Sequence, residues 1–170
     1  MSKVNGKQKG NSFERKIANL LSDRFKNFTG IEQSFRRNPD SGSFFGGQNQ
    51  SRTETYDTEY AIFGDLICPK NFNFSIECKN YKTPPSFGAI MKQDCKQLDA
   101  WIAQAEQDAT NAKKIMALIV KYNNVQEFVV IKGLFGALKP VVNYKEYQLV
   151  TLDDFLSQDD ERFFNMVPFI

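Results

Sequence analysis

The sequence predicts an α/β protein in which a mixed β-sheet is flanked by helices, within a single domain spanning residues 1–170. Three observations predict it. Helical and strand periodicities follow in the order α, a β-rich middle, α, β, β, α, which a sheet with helices on its faces accommodates. The 170 residues are enough to bury a core without disulfide or metal staples. Hydrophobic residues make up 41% of the chain and include sixteen Phe, so the core is expected to be aromatic-rich.

Residues 1–10 read as a flexible basic tail. Asn11 or Ser12 can then cap a helix running to about Lys26, because Phe13, Ile17, Leu20, Leu21 and Arg24 share a face at helical spacing, with Phe25 alongside. Gly30 ends the connection, and residues 31–37 read as a short strand. Residues 38–60 are poor in aliphatic side chains, and a connection of that length in a compact domain is usually functional or disordered. The long loop within it covers residues 44–60. Residues 60–68 and 72–80 are strand candidates about the turn Pro69-Lys70-Asn71. After Thr83-Pro84-Pro85, Ser86 starts a helical stretch to about Ala109, with room for an interruption. Ile115–Tyr122 and residues 127–131 follow as buried strands around Asn123-Asn124, then residues 147–150 as a further one. Thr151-Leu152-Asp153-Asp154 resembles a capping box before a helix at Leu152–Leu156, opening a helical extension over residues 151–170.

What is missing narrows the chemistry. There is no His, which excludes Ser-His and Cys-His nucleophilic centres and His-ligated zinc. Cys68, Cys78 and Cys95 form no CxxC pair, so neither a disulfide framework nor a zinc cluster is suggested. No apolar run approaches the roughly 20 residues that span a bilayer, and residues 1–10 lack the apolar stretch of a signal peptide. A cytoplasmic protein with no membrane partner is the expectation (host cytoplasm for a viral source). Hydrolysis must then rest on carboxylates, Lys and a hard metal ion.

Net charge is +2 but unevenly spread: residues 1–37 hold nine Lys/Arg against three Asp/Glu, and the remainder thirteen against seventeen. A basic N-terminal third attracts polyanions, while the acidic balance elsewhere leaves carboxylates for metal binding. A solvated lysine tail with no partner would have the same composition.

The chemistry concentrates in Gly64-Asp65 and, twelve residues on, Ile76-Glu77-Cys78-Lys79. Along a strand, Glu77 and Lys79 project to one face while Ile76 and Cys78 project to the other. If the two strand candidates pair as a hairpin, Asp65 comes beside Glu77, and two carboxylates converge with an ammonium. That set suits phosphodiester hydrolysis. Carboxylates hold one or two Mg²⁺ through oxygen, and the metal acidifies bound water and neutralises developing charge. A nearby Lys orients the water or stabilises the transition state. E-x-K alone is weak, because a solvated ion pair on a strand face gives the same triplet.

Four features in order carry a resemblance. Gly10-Asn11-Ser12-Phe13-Glu14-Arg15 opens a helix with Glu beside Arg. Arg36-Arg37-Asn38-Pro39-Asp40-Ser41-Gly42 forms an R…SG segment. Gly64-Asp65 with Ile76-Glu77-Cys78-Lys79 supplies two carboxylates and a lysine, and a following helical stretch carries Gln93 and Gln97 ahead of Leu98 and Trp101. The arrangement resembles the PD-(D/E)xK nuclease superfamily, and more closely the archaeal-type Holliday junction resolvases, over residues 9–131.

The resemblance implies a restriction-endonuclease-like fold and a homodimeric, Mg²⁺-dependent enzyme (Mn²⁺ substituting) that cuts branched or four-way DNA in recombination or replication. It implies Asp65 and Glu77 as metal ligands with the Cys78 backbone carbonyl, Glu14 completing the metal environment, and Lys79 aiding the water. Ser41 with Arg36 or Arg37 would hold the phosphate, and Arg15 and either Gln93 or Gln97 would contact DNA. Phe44, Phe45 and Tyr56 suit either base contacts or core anchors. The loop at 44–60 is longer than the resolvase pattern, and the last forty residues have no counterpart in it. Two alternatives stand beside this one. A homing or restriction-type enzyme would read duplex sequence through that loop, and a nucleic-acid-binding protein would keep the fold without turnover.

Overall fold

Ile115–Tyr122 is the strand around which the sheet is built: its run of apolar side chains is buried on both faces, the pattern of a central strand covered above and below. The chain, described here by a computed structural model over residues 6–38, 63–133 and 138–164, forms twelve elements within those residues. They are α1 (Gly6–Thr29), β1 (Arg36–Arg37), β2 (Leu66–Ile67), β3 (Phe74–Tyr81), α2 (Phe87–Met91), α3 (Lys96–Asn111), β4 (Ile115–Tyr122), β5 (Phe128–Lys132), β6 (Val142–Tyr144), β7 (Tyr147–Thr151), α4 (Leu152–Leu156) and α5 (Asp160–Phe163). A five-stranded sheet has the order β3-β4-β5-β7-β6, and β1 pairs with β2 in a two-stranded ribbon. β3 and β4 are parallel, with Glu77 opposite Leu118, while the β4–β5, β5–β7 and β7–β6 pairs are antiparallel. This mixed sheet with helices on both faces is a restriction-endonuclease-like α/β fold.

Strand alternation sorts the core into two layers. Ile76 and Cys78 of β3 join Ala117 and Ile119 of β4 beneath Phe13, Ile17, Leu21 and Phe25 of α1. On the other face Leu118 and Val120 pack with Leu98, Trp101, Ile102 and Ala105 of α3. Much of the Phe content serves the first layer. Phe72 lies within 6.2 Å, centroid to centroid, of Phe25, Phe35, Phe74, Phe163 and Phe164. Each buried ring contributes roughly 1.5–3 kcal/mol by leaving water.

Several expectations are corrected. α1 starts at Gly6, so residues 6–10, read as tail, are its first turns. The strand expected at 31–37 shrinks to Arg36–Arg37, because Phe35 turns into the aromatic layer. There its backbone amide and carbonyl both bond the Ser22 hydroxyl of α1. The helical stretch from Ser86 breaks between Met91 and Lys96, where Gln93 takes a positive φ of 54°. β6 went unread in the sequence. The hairpin considered for 60–68 with 72–80 forms no ladder among the described residues: β2 pairs with β1, and Asp65 alone bonds back to Ile76. On its other edge β3 pairs in parallel with β4, bridged by α2 and α3 in the crossover that parallel strands require. Ser41, Phe44, Phe45, Tyr56 and the loop at 44–60 lie outside the described residues. Among the described residues no helix is long and apolar enough to cross a membrane.

Candidate active site

Among the described residues β3 is the edge strand of its sheet, and Asp65 sits along its outer side. The Asp65 amide donates to the Ile76 carbonyl at 2.8 Å. Two residues on, the Cys78 amide points the same way and donates to Asp65 Oδ2, also at 2.8 Å. A carboxylate thus takes the place of a ladder acceptor and fixes Asp65 along the strand edge. Gly64 makes the approach possible. Its φ of +80° suits glycine, and a Cβ there would stand 2.8 Å from the Ile76 carbonyl oxygen and 2.9 Å from Ser75 Oγ. The β1–β2 ribbon holds the other side: Asn38 donates its amide to the Asp65 carbonyl at 2.8 Å and its side-chain NH₂ to the Gly64 carbonyl at 3.2 Å.

Glu77 points to the opposite face from Ile76 and is only 2% exposed. Its Oε1 accepts from Lys79 Nζ at 2.6 Å and from Gln104 Nε2 at 2.8 Å. Gln104 Oε1 in turn accepts from Lys79 Nζ at 3.0 Å. The amide orientation is dictated, since a carboxylate only accepts and an ammonium only donates.

The electrostatics follow from that burial. Loss of water pushes the Asp65 carboxyl up to about 6, aided by the charge of Glu14 and opposed by the Cys78 amide. Burial and then the charge of Asp65 push Glu77 up to about 7, against the hydrogen bond from Lys79. Burial works against the charge on Lys79, but Glu77 outweighs it and holds the ammonium above its ordinary pKa. Asp108, one helical turn beyond Gln104, adds a further negative charge near all three. Cys78 is buried, and desolvation with the neighbouring carboxylates keeps its thiol neutral.

The buried Glu77 carboxylate pairs with the Lys79 ammonium, and the half-buried Asp65 carboxylate feels the same charge through space. The remaining negative charge, presented by hard oxygen donors, fits a divalent cation. Asp65 and Glu77, with the Cys78 carbonyl, would hold it. Among the described residues no group of three or more His, Cys, Asp or Glu is placed to hold a metal ion by itself.

The other residues expected at the site fall in different places. Glu14 lies near Asp65 but is paired with Arg37 at 2.6 Å. Arg36 is exposed, on the other side of the strand from Arg37. Arg15 lines a shallow concavity on α1 with Lys7, Gln8, Asn11 and Ser12. Gln93 is exposed and accepts the Lys145 amide at 3.2 Å. Gln97 is half-buried on α3, seven residues before Gln104, about 10 Å along a helix. The glutamine that the structure brings to Glu77 is Gln104, which the sequence reading missed. The signal was there: Gln97, Trp101, Gln104 and Asp108 follow one helical stripe, but the break before Lys96 shifts which turn faces β3.

A restriction-endonuclease-like sheet carrying Asp65, Glu77 and Lys79 at the edge of β3 defines a PD-(D/E)xK-type nuclease. More particularly, the chain belongs to the phage putative PDDEXK endonuclease family, whose model matches residues 5–167. No curated protein and no solved structure gives a significant match. Membership carries endonuclease chemistry on DNA, and PD-(D/E)xK nucleases generally use divalent metals.

Proposed function

We propose that this nuclease hydrolyses DNA phosphodiester bonds with Mg²⁺ held by Asp65, Glu77 and the Cys78 carbonyl, and that its substrate is branched DNA. The observation that carries the chemistry is the convergence of both carboxylates with Lys79 on the edge of β3. Mg²⁺ there supplies Lewis acidity towards the phosphate and towards water. Lys79 stays protonated at neutral pH, so it acts as a fixed donor to the attacking water and the phosphate oxygens, not as a general base. Gln104 holds that ammonium in place from the far side. Ser41 with Arg36 or Arg37 holds the phosphate, Glu14 adds to the metal environment, and Arg15 with Gln93 or Gln97 touches the flanking backbone.

The junction preference rests on the ordered likeness of Glu14-Arg15, Arg36 to Gly42 and the core motif to archaeal-type resolvases. That likeness also supports a homodimer, with two active sites facing opposed strands. The test is incubation with Mg²⁺ of a four-way junction and a linear duplex of matched sequence. Preferential, paired cutting of the junction is expected, and Asp65→Asn and Lys79→Ala should abolish it. Equal cutting of both substrates removes the junction assignment; cutting by the two variants at the parental rate removes the site.

A further inference from the structure

Glu14 and Arg37 stand at the rim of the Asp65–Glu77 centre and are already engaged with each other. Arg37 Nε donates to Glu14 Oε2 at 2.6 Å, and Arg37 Nη2 donates to Asn11 Oδ1 at 3.1 Å, one turn earlier on α1. Both partners are largely covered, with side chains 21% and 14% exposed. Arg37 is held in place from behind: it lies opposite Leu66 in the β1–β2 ribbon, and the next residue, Asn38, bonds the Asp65 backbone. Glu14 is near enough to Asp65 for its charge to act there.

A carboxylate tied to a guanidinium is a poor ligand, because its charge is already compensated and its lone pairs are in use. The guanidinium must leave before the carboxylate can turn to a cation. A DNA phosphate offers it a better partner: its fork of donors matches phosphate oxygens two at a time. The metal and Arg37 thus compete for Glu14, and the phosphate competes with Glu14 for Arg37.

We infer that Arg37 is a substrate-sensing positioning residue, which withholds Glu14 from the metal centre in the free protein and releases it when the guanidinium passes to a DNA phosphate. This rests on the metal-binding reading of Asp65 and Glu77 given above. Metal and DNA then bind with positive coupling, and each tightens the other by the same factor. A fixed structural ion pair would give no such coupling through Glu14.

Calorimetric titration of the full chain with Ca²⁺ tests this, alone and with saturating synthetic DNA, using both a junction and a linear duplex. Without DNA, Glu14→Gln should weaken Ca²⁺ binding by no more than about threefold, the loss of a charge that acts on Asp65 only through space. Arg37→Gln should bind about tenfold more tightly than the parent, and the double variant should return to the Glu14→Gln value. With DNA, the parent should tighten about tenfold, and Glu14→Gln should lose most of that gain. The inference is overturned if Arg37→Gln binds no tighter than the parent, or if Glu14→Gln keeps the full DNA-driven gain. Melting curves report whether Arg37→Gln folds; if it does not, the Glu14→Gln comparison decides alone. Failure of the underlying metal reading looks different: Ca²⁺ binding would then be absent in the parent, or unchanged in Asp65→Asn and Glu77→Gln, and the inference would fall with it.

Discussion

Gln104 donates its amide to the same Glu77 oxygen that receives the Lys79 ammonium, while its own carbonyl oxygen accepts from that ammonium. The three side chains close a ring in which Gln104 matches one donor and one acceptor to the fixed charges. Gln104→Leu keeps the volume and removes both bonds. Partners of this kind typically carry 10–100-fold in affinity or activity, so kcat in steady-state cleavage should fall by about that factor with the melting temperature little changed. Gln104→Glu should lose more, because it sets a third carboxylate against Glu77. Full activity in Gln104→Leu would show that the ring is incidental.

Asp65 depends on the backbone before it. At Gly64 a Cβ must occupy space already filled by the Ile76 carbonyl and Ser75 Oγ, in a backbone region that L-residues seldom adopt. Gly64→Ala should cost roughly 2–3 kcal/mol of stability and move Asp65 off the Cys78 amide. Urea denaturation measures the first effect and loss of cleavage the second. A variant as stable and active as the parent would mean that the turn relaxes freely.

The contrast between these two residues shows what the sequence could and could not reveal. Asp65, Glu77 and Lys79 were legible because strand alternation and their linear spacing are local facts. Ile115–Tyr122 and Leu152–Leu156 were legible to the residue, since an unbroken apolar run and a Thr151 cap each declare themselves. Gln104 was not. Its position depends on where α3 restarts after the break at Gln93, which tertiary packing decides, as Tyr144 Oη takes the Cys95 amide at the helix start. The pairing of β3 with β4 was not legible for the same reason. A hairpin is the short-range choice, whereas the β4 pairing is set by α3 burying its apolar face across both strands.

Arg24, read as part of an apolar stripe, instead anchors the C-terminal extension. It donates to the Leu156 carbonyl at 2.8 Å and the Gln158 carbonyl at 2.9 Å, pairs with Asp160, and lies 4.8 Å from the centroid of the Phe25 ring. α4 and α5 place Phe155 and Phe163 in the aromatic layer, so the anchor governs core packing at a distance from the site. Arg24→Met should destabilise by roughly 2–4 kcal/mol. Hydrogen exchange should rise first over residues 152–164 while β4 amides stay protected. Uniform loss of protection across the sheet would count against a local anchor.

Stability without metal should fall as pH rises, which is the reverse of the usual carboxylate case. The folded pKa values of Asp65 and Glu77, about 6 and about 7, lie above their ordinary values of 3.8 and 4.5. The folded state therefore holds these protons more tightly than the unfolded one. Their contribution is complete below the ordinary values and is lost as pH climbs through 6 and 7. Asp99 and Glu127 shift the other way, but their contributions are already complete above their ordinary values. In EDTA the melting temperature should therefore drop by roughly 5 °C between pH 5 and pH 8. Mg²⁺ should restore it at pH 8, where both carboxylates are ionised, and do little at pH 5, where protons compete. Glu77→Gln removes one of the two proton sites and should flatten the EDTA curve. A melting temperature in EDTA that stays level or rises between pH 5 and pH 8 would mean that the two carboxylates are solvated, and that their desolvation does not create the demand for a cation.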